Sequence, residues 1–224
     1  MRHRCVSDLM TTSVVRVRRS ATFKDVARLI AENDITALPV VDAQDHPLGV
    51  VSEHDLMAKS AAQAEPGGHL LAADLQPADR AKATAATAGD LMTSPPVVAR
   101  PQWSVVEAAR AMEQHHVKRL PVVDDTDRLV GIISRHDLLR VFLRRDRAIR
   151  EEIQEDILLH TLDIAPGAVR VTVDAGRVAL DGTVERRSLV AVAERLCRAV
   201  DGVISVDAHL TWEQDDLEEP PAAP

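Results

Sequence analysis

The chain has 224 residues, 46% hydrophobic and 28% charged, with a formal net charge of −8. An acidic chain is repelled by phosphate backbones, and two Trp, two Phe and no Tyr leave little to stack on bases, so a nucleic-acid partner is not expected. With so few rings the core must be built from Val, Leu, Ile and Ala, over a length that allows one large domain or several small ones.

The opening MRHRCVSDLMTTSVVRV lacks an apolar segment of signal-peptide length, and no stretch approaches the roughly 20 apolar residues of a membrane span. A cytoplasmic location is therefore expected. Cys5 and Cys197 lie far apart in no metal or redox motif and are expected as reduced thiols.

Self-similarity organises the first two thirds. SDLMTTSVV at Ser7 recurs as GDLMTSPPV at Gly89, LPVVD at Leu38 recurs at Leu120, and GVVSEHDL at Gly49 recurs as GIISRHDL at Gly131. The offset is always 82 residues, and 19 of 49 aligned positions between Asp8 and Leu56 are identical. This is a duplicated unit. Phe23, Val26, Ala27 and Ile30 repeat at helical spacing after Ser20–Ala21–Thr22, as do Val105, Ala108, Ala109 and Met112 after Ser104. Short β-rich runs follow, then a helix begins near Ser52 or Ser134. Each copy predicts β-α-β-β-α, too small to be secure alone, so the copies should pack together. Pro39 and Pro121 read as strand-edge positions that need no N–H.

The Ala-rich stretch 58–88 reads as a linker or partly helical loop. The arginine run Arg140–Arg150, followed by Glu151, Glu152, Glu155 and Asp156, reads as a solvated helix with charge pairs, and Leu138–Leu162 as a helical connector. Beyond it the pattern changes. Ile149, Ile153, Ile157 and Leu158 share a helical face, and Val169–Val173 alternates as a strand should. Asp174–Arg177 is a turn, with Val178, Leu180 and Val184 on the hairpin partner. Leu189, Val192, Ala193, Leu196 and Val200 mark a helix that Asp201–Gly202 ends, and Val203–Trp212 a last strand. Gly182 reads as a turn or bulge. The order α-β-β-α-β puts two helices on one face of a three-stranded sheet.

The motifs Asp-Leu-Met-Thr, Leu-Pro-Val-Val-Asp and Gly-x-x-Ser-x-x-Asp-Leu, in order and twice, make residues 1–145 resemble a tandem pair of cystathionine-β-synthase (CBS) domains. Residues 146–213, through Val178-Ala-Leu-Asp-Gly-Thr-Val184 and Gly202-Val-x-x-Val206, resemble a BON domain. The expected fold is α/β (α+β): two β-α-β-β-α CBS repeats packed as a pseudo-twofold pair, then a small BON-like domain. The domain reading is 1–60, 61–87, 88–145 and 146–214, with a disordered acidic and Pro-rich tail at 215–224. The CBS resemblance implies a non-catalytic sensor of an adenosyl ligand (AMP, ADP, ATP or S-adenosylmethionine), commonly a homodimer, acting on an unknown protein partner. BON domains are often linked to envelopes and phospholipids, but without an export signal membrane binding is not expected here. The alternative is a structural protein whose CBS pair only dimerises and whose BON-like unit binds a partner or lipid.

The candidate site follows from its chemistry. Ser134 turns a Gly-led strand ending in Ile133 into a helix, whose free N–H groups favour an anion. Asp137, one turn on, could accept both hydroxyls of a ribose diol. Ser52 and Asp55 repeat the pair in copy one. The resemblance makes Ile35-Thr36-Ala37-Leu38-Pro39 and Val117-Lys118-Arg119-Leu120-Pro121 base-pocket walls. Lys118, Arg119 and Arg135 in copy two, against Thr36, Ala37 and Glu53 in copy one, favour copy two as the phosphate-bearing site. His54, His115, His116 and His136 match no zinc spacing, so no metal is expected, and no nucleophile–base constellation or Walker loop points to catalysis.

Overall fold

The computed structural model describes residues 4–63 and 77–217, in two compact units: Cys5–Arg135, and the chain from His136 together with Arg4. In the first unit, copy one contains α1 (Val6–Leu9), β1 (Val17–Arg18), α2 (Phe23–Glu32), β2 (Ala37–Val41), β3 (Pro47–Ser52) and α3 (Glu53–Ala61). After α4 (Pro77–Ala83), copy two contains α5 (Ala88–Leu91), α6 (Val105–Gln114), β4 (Arg119–Val123), β5 (Leu129–Ser134) and the start of α7 (Arg135–Leu139). The 61–87 stretch is thus partly helical, with residues 64–76 outside the described ones.

The duplication holds at the level of backbone physics. Thr22 and Ser104 each cap a ten-residue helix through a capping box with Asp25 or Glu107. The hydroxyl of Thr22 holds the Asp25 carboxyl below its ordinary range, and the backbone N–H of Ser104 does the same for Glu107. Val26 and Ile30, and likewise Ala108 and Met112, lie four apart and are buried. Left-handed residues recur at the same offset, Asp34 with His116 and Asp45 with Asp127. β1 pairs parallel to β2, and β2 antiparallel to β3, whereas the first strand of copy two shrinks to one bridge between Ala99 and Val122. Pro39 lies inside a central strand, not on a sheet edge. It pairs with Val50 on one side, while β1 reaches only Val40 and Val41 on the other, so the missing N–H breaks no ladder bond.

Neither copy completes its own sheet. The Asp-Leu-Met-Thr segment of each copy crosses to the other. Thr11 exchanges both backbone hydrogen bonds with Ile132 (2.9 and 3.0 Å), and Thr93 exchanges both with Val50 (2.9 and 3.1 Å). Val6 N–H donates to Trp103, and its counterpart Ala88 N–H donates to Ala21. Leu91, from copy two, is fully buried in a core with Val26, Leu38, Val40 and Val51 of copy one.

In the second unit the expected continuous connector is broken. A 3₁₀ turn, Arg140–Leu143, follows α7, and Arg144 and Arg145 are extended before α8 (Asp146–Glu152). The break is held by side chains: Arg144 donates to the Asp201 carbonyl (3.0 Å) and pairs with Glu152 (2.8 Å). From α8 the chain continues in π winding over Ile153–Thr161, where Leu162 N–H reaches the Ile157 carbonyl five residues back. β6 (Val169–Asp174) pairs antiparallel with β7 (Arg177–Arg186), and β7 parallel with β8 (Ser205–Gln214); α9 (Arg187–Arg198) crosses between them. Ile149, Ile153, Ile157, Leu180, Ala193 and Cys197 form one buried core between helices and sheet.

Gly182 is neither turn nor bulge. It sits within β7 at φ +150°, where a Cβ would lie 2.1 Å from the Ala168 carbonyl oxygen. The acidic tail is ordered at its start: Asp216 accepts from Ser188 N–H (2.8 Å) and the Ser188 hydroxyl (2.5 Å), capping α9 from a distance. Asp215 pairs with Arg187. Residues 218–224 lie outside the described ones.

Candidate functional site

Each copy brings its two predicted patches together at one end of a hairpin. Ala37 pairs across from Ser52, and Arg119 across from Ser134. The first N–H of each following helix is tied back the same way, Glu53 N–H to the Thr36 carbonyl (3.0 Å) and Arg135 N–H to the Lys118 carbonyl (3.0 Å). Residues 17 apart in sequence thus share one rim, and Gly49 and Gly131 explain how the other copy joins it. A Cβ on Gly49 would lie 2.8 Å from Met92 Sδ, and one on Gly131 2.4 Å from Met10 Sδ. Sequence reasoning read Met10, Thr11, Met92 and Thr93 as parts of the repeated Asp-Leu-Met-Thr motif but gave none of them a place at this rim. Their recurrence at the common offset was the available signal.

In copy one the motif is internally satisfied. Asp55 is 4% exposed, and its Oδ2 accepts from Ser52 N–H (2.7 Å) and the Ser52 hydroxyl (2.8 Å). Its Oδ1 pairs with the Lys82 ammonium, which also donates to Thr93 Oγ1 (3.1 Å). Ile35 is half-buried and Thr36 exposed; Leu38 and Pro39 are buried.

Copy two presents cations. Lys118 is exposed, and Arg135 is exposed and paired with Glu113 (3.2 Å). That exposed pair contributes little, so an anion can compete for the guanidinium. Arg119, expected as a phosphate donor of the copy-two motif, reaches across to copy one. Its guanidinium donates to the Ala37 carbonyl (3.2 Å) and the Thr36 hydroxyl, joining three predicted site residues from both copies. Val117 is half-buried, Pro121 and Ile133 are buried, and Ser134 is half-buried at the end of β5. Asp137 lies on α7, in the second unit by the division of the chain.

The histidine pair has a structural explanation. His115 ends α6, its N–H bonded to the Ala111 carbonyl, and His116 takes the left-handed turn at φ 53°. No group of three or more metal-ligating side chains occurs among the described residues.

Two duplicated α/β copies, each contributing a segment to the other's rim, define a module of paired, interlocked repeats. The CBS-domain model matches residues 6–62 and 88–144 and the BON-domain model residues 145–214, so the chain belongs to the CBS-domain family and carries a BON domain after its CBS pair. It is 31% identical over 154 residues to the chloroplastic CBS domain-containing protein CBSX2 of Arabidopsis thaliana, covering 63% of this chain and 65% of that one. It is 32% identical over 133 residues to hypoxic response protein 1 of Mycobacterium tuberculosis, covering 59% and 81%. A match to a homoserine O-acetyltransferase of Methanococcoides burtonii, 32% identical over 139 residues, spans only 24% of that enzyme. The crystal structure of CBSX2 in complex with AMP aligns with TM-score 0.53 at 30% identity, over 62% of this chain and 97% of that one.

Proposed function

We propose that this protein is a regulatory sensor that binds an adenosyl ligand at the copy-two motif of its CBS pair. The tie of the Arg135 N–H to the Lys118 carbonyl (3.0 Å), beside Ser134, carries this reading. It puts basic donors and a strand-to-helix turn at one rim, where a phosphate and its sugar can be held. Lys118 and Arg135 add charge there, and Asp137 supplies the carboxylate of the motif. The AMP complex of the similar Arabidopsis protein supports the ligand class. The ligand walls of copy one would be Ile35, Thr36, Ala37 and Pro39. The same reading includes a homodimer and a relay of occupancy through the BON domain to a protein partner. A ligand drives such a relay only by binding two conformations with different affinity.

The test is thermal unfolding with AMP, ADP, ATP or S-adenosylmethionine, in parallel with Asp137→Ala. At a hundred times its dissociation constant a ligand adds about 2.7 kcal/mol, a rise of several degrees. A rise for one compound, lost in the variant, establishes the reading. No rise for any compound leaves the CBS pair as an assembly scaffold, with a lipid or protein partner of the BON domain as the function to pursue.

A further inference from the structure

We propose that Lys82 occupies the copy-one ligand position from within the chain, so that a folded chain takes an adenosyl ligand at the copy-two motif alone. This rests on the reading of the Ser-x-x-Asp motif as the sugar-binding element.

Three of the roughly four acceptor positions on the carboxylate that would face a ribose in copy one are already taken, too many to leave room for both hydroxyls of a diol. Ser52 uses Asp55 Oδ2 twice, and the Lys82 ammonium takes Oδ1. Lys82 also holds Thr93 Oγ1, the hydroxyl that copy two contributes to this rim, so one ammonium bridges both sides of the cleft. It is only 17% exposed, and Asp55 less. A ribose hydroxyl could replace the hydrogen bond but not the charge. Displacing Lys82 would leave a buried carboxylate without a countercharge, which is the costly outcome for such a pair.

The helix that carries Lys82 is fixed in place. The Lys59 ammonium lies near the Ala83 and Ala85 carbonyls (3.5 and 3.4 Å), at the end of α4, and Ala85 is buried in the copy-one core. Lys59 in turn lies over the Phe23 ring at 5.2 Å. The segment holding Lys82 falls between the two duplicated stretches, 8–56 and 90–138.

Calorimetric titration of the full chain with AMP, and separately with S-adenosylmethionine, tests this. The wild type should bind one equivalent per chain, lost in Asp137→Asn. Lys82→Gln, and Lys82→Met as a second variant without a polar head, should gain a second equivalent, which Asp55→Asn then removes. An independent readout is limited acetylation of the native protein, followed by peptide mass spectrometry. Lys82 should react about tenfold more slowly than exposed Lys24 and Lys118, and Asp55→Asn should abolish that protection. Two equivalents in the wild type, or still one in both Lys82 variants, would overturn the occlusion while leaving the sensor reading intact. No binding by any form would sink both, and Lys82 acetylated as fast as Lys118 would sink the occlusion alone.

Discussion

Met10 lies so close to Gly131 that a methyl group on the glycine would meet its sulfur at 2.4 Å. The counterpart, Gly49, faces Met92 Sδ at 2.8 Å but also the backbone oxygen of Thr93 at 2.7 Å. A thioether on a flexible stem can swing away, whereas a paired carbonyl cannot. Gly49→Ala should therefore cost more stability than Gly131→Ala, about 2–3 kcal/mol against about 1 kcal/mol. Urea unfolding followed by Trp103 fluorescence, in a Trp212→Phe background, measures both. Equal losses would mean that the Thr93 bridge yields as readily as a side chain.

Gly182 should tolerate even less. Its φ of +150° disfavours any L side chain, and the Ala168 oxygen fills the space a Cβ needs. Gly182→Ala should cost on the order of 3 kcal/mol. Trp212 reports on that domain once Trp103 is replaced by Phe. An unfolding midpoint unchanged from wild type would contradict the close approach of the two strands.

Cys197 is fully buried, and desolvation pushes its thiol up to about 12. Since the thiolate is the reactive species, Cys197 should resist iodoacetamide at pH 8 in the native protein and react once it is unfolded in urea. Peptide mass spectrometry separates it from Cys5, which is only half-buried. Rapid native labelling of Cys197 would show that the core around Ala193 and Leu180 opens readily.

Acid should weaken the CBS pair. The carboxyls of Asp25, Asp90 and Glu107 are all lowered, Asp25 and Asp90 chiefly by a capping hydroxyl and Glu107 by the Ser104 N–H. A group whose folded value is depressed gives its stability in full above the unfolded value, and loses it as pH falls through the folded one. The urea midpoint should be level down to near pH 4.5, the unperturbed Glu value, and decline below it. Thr22→Ala with Ser104→Ala should flatten that decline. A midpoint that rose on acidification would reverse the sign and refute the capping account.

Much of this was written in the sequence because duplication prints the same pattern twice. The helices after Thr22 and Ser104 and the two hairpins follow from periodicity and cap chemistry, and the BON-domain strands from alternation and the Ala175–Gly176 turn. What periodicity does not encode is which segment joins which sheet. The Asp-Leu-Met-Thr motif was visible, but its crossing to the other copy depends on Gly49 and Gly131, whose missing side chains leave room for Met92 and Met10. Gly182 misled because a glycine in a strand also marks a bulge, and only the approach of Ala168 decides between them. Arg144 ended the connector helix through Asp201 and Glu152, one partner 57 residues away, a contact no local pattern announces. At the candidate site the Ser-x-x-Asp spacing was legible. Lys82 was not, since it lies in an Ala-rich stretch with no repeat of its own.

The crossing of Thr11 to Ile132 and of Thr93 to Val50 has a consequence for how the duplicated gene could have arisen. A single ancestral copy, lacking a second to complete its sheet, would have needed another molecule to donate that segment. The intramolecular pair is then a fused dimer, and cutting the chain between the copies should return it to that condition. Two separately expressed halves should each aggregate or remain unfolded alone, yet regain native circular dichroism when mixed in equal amounts.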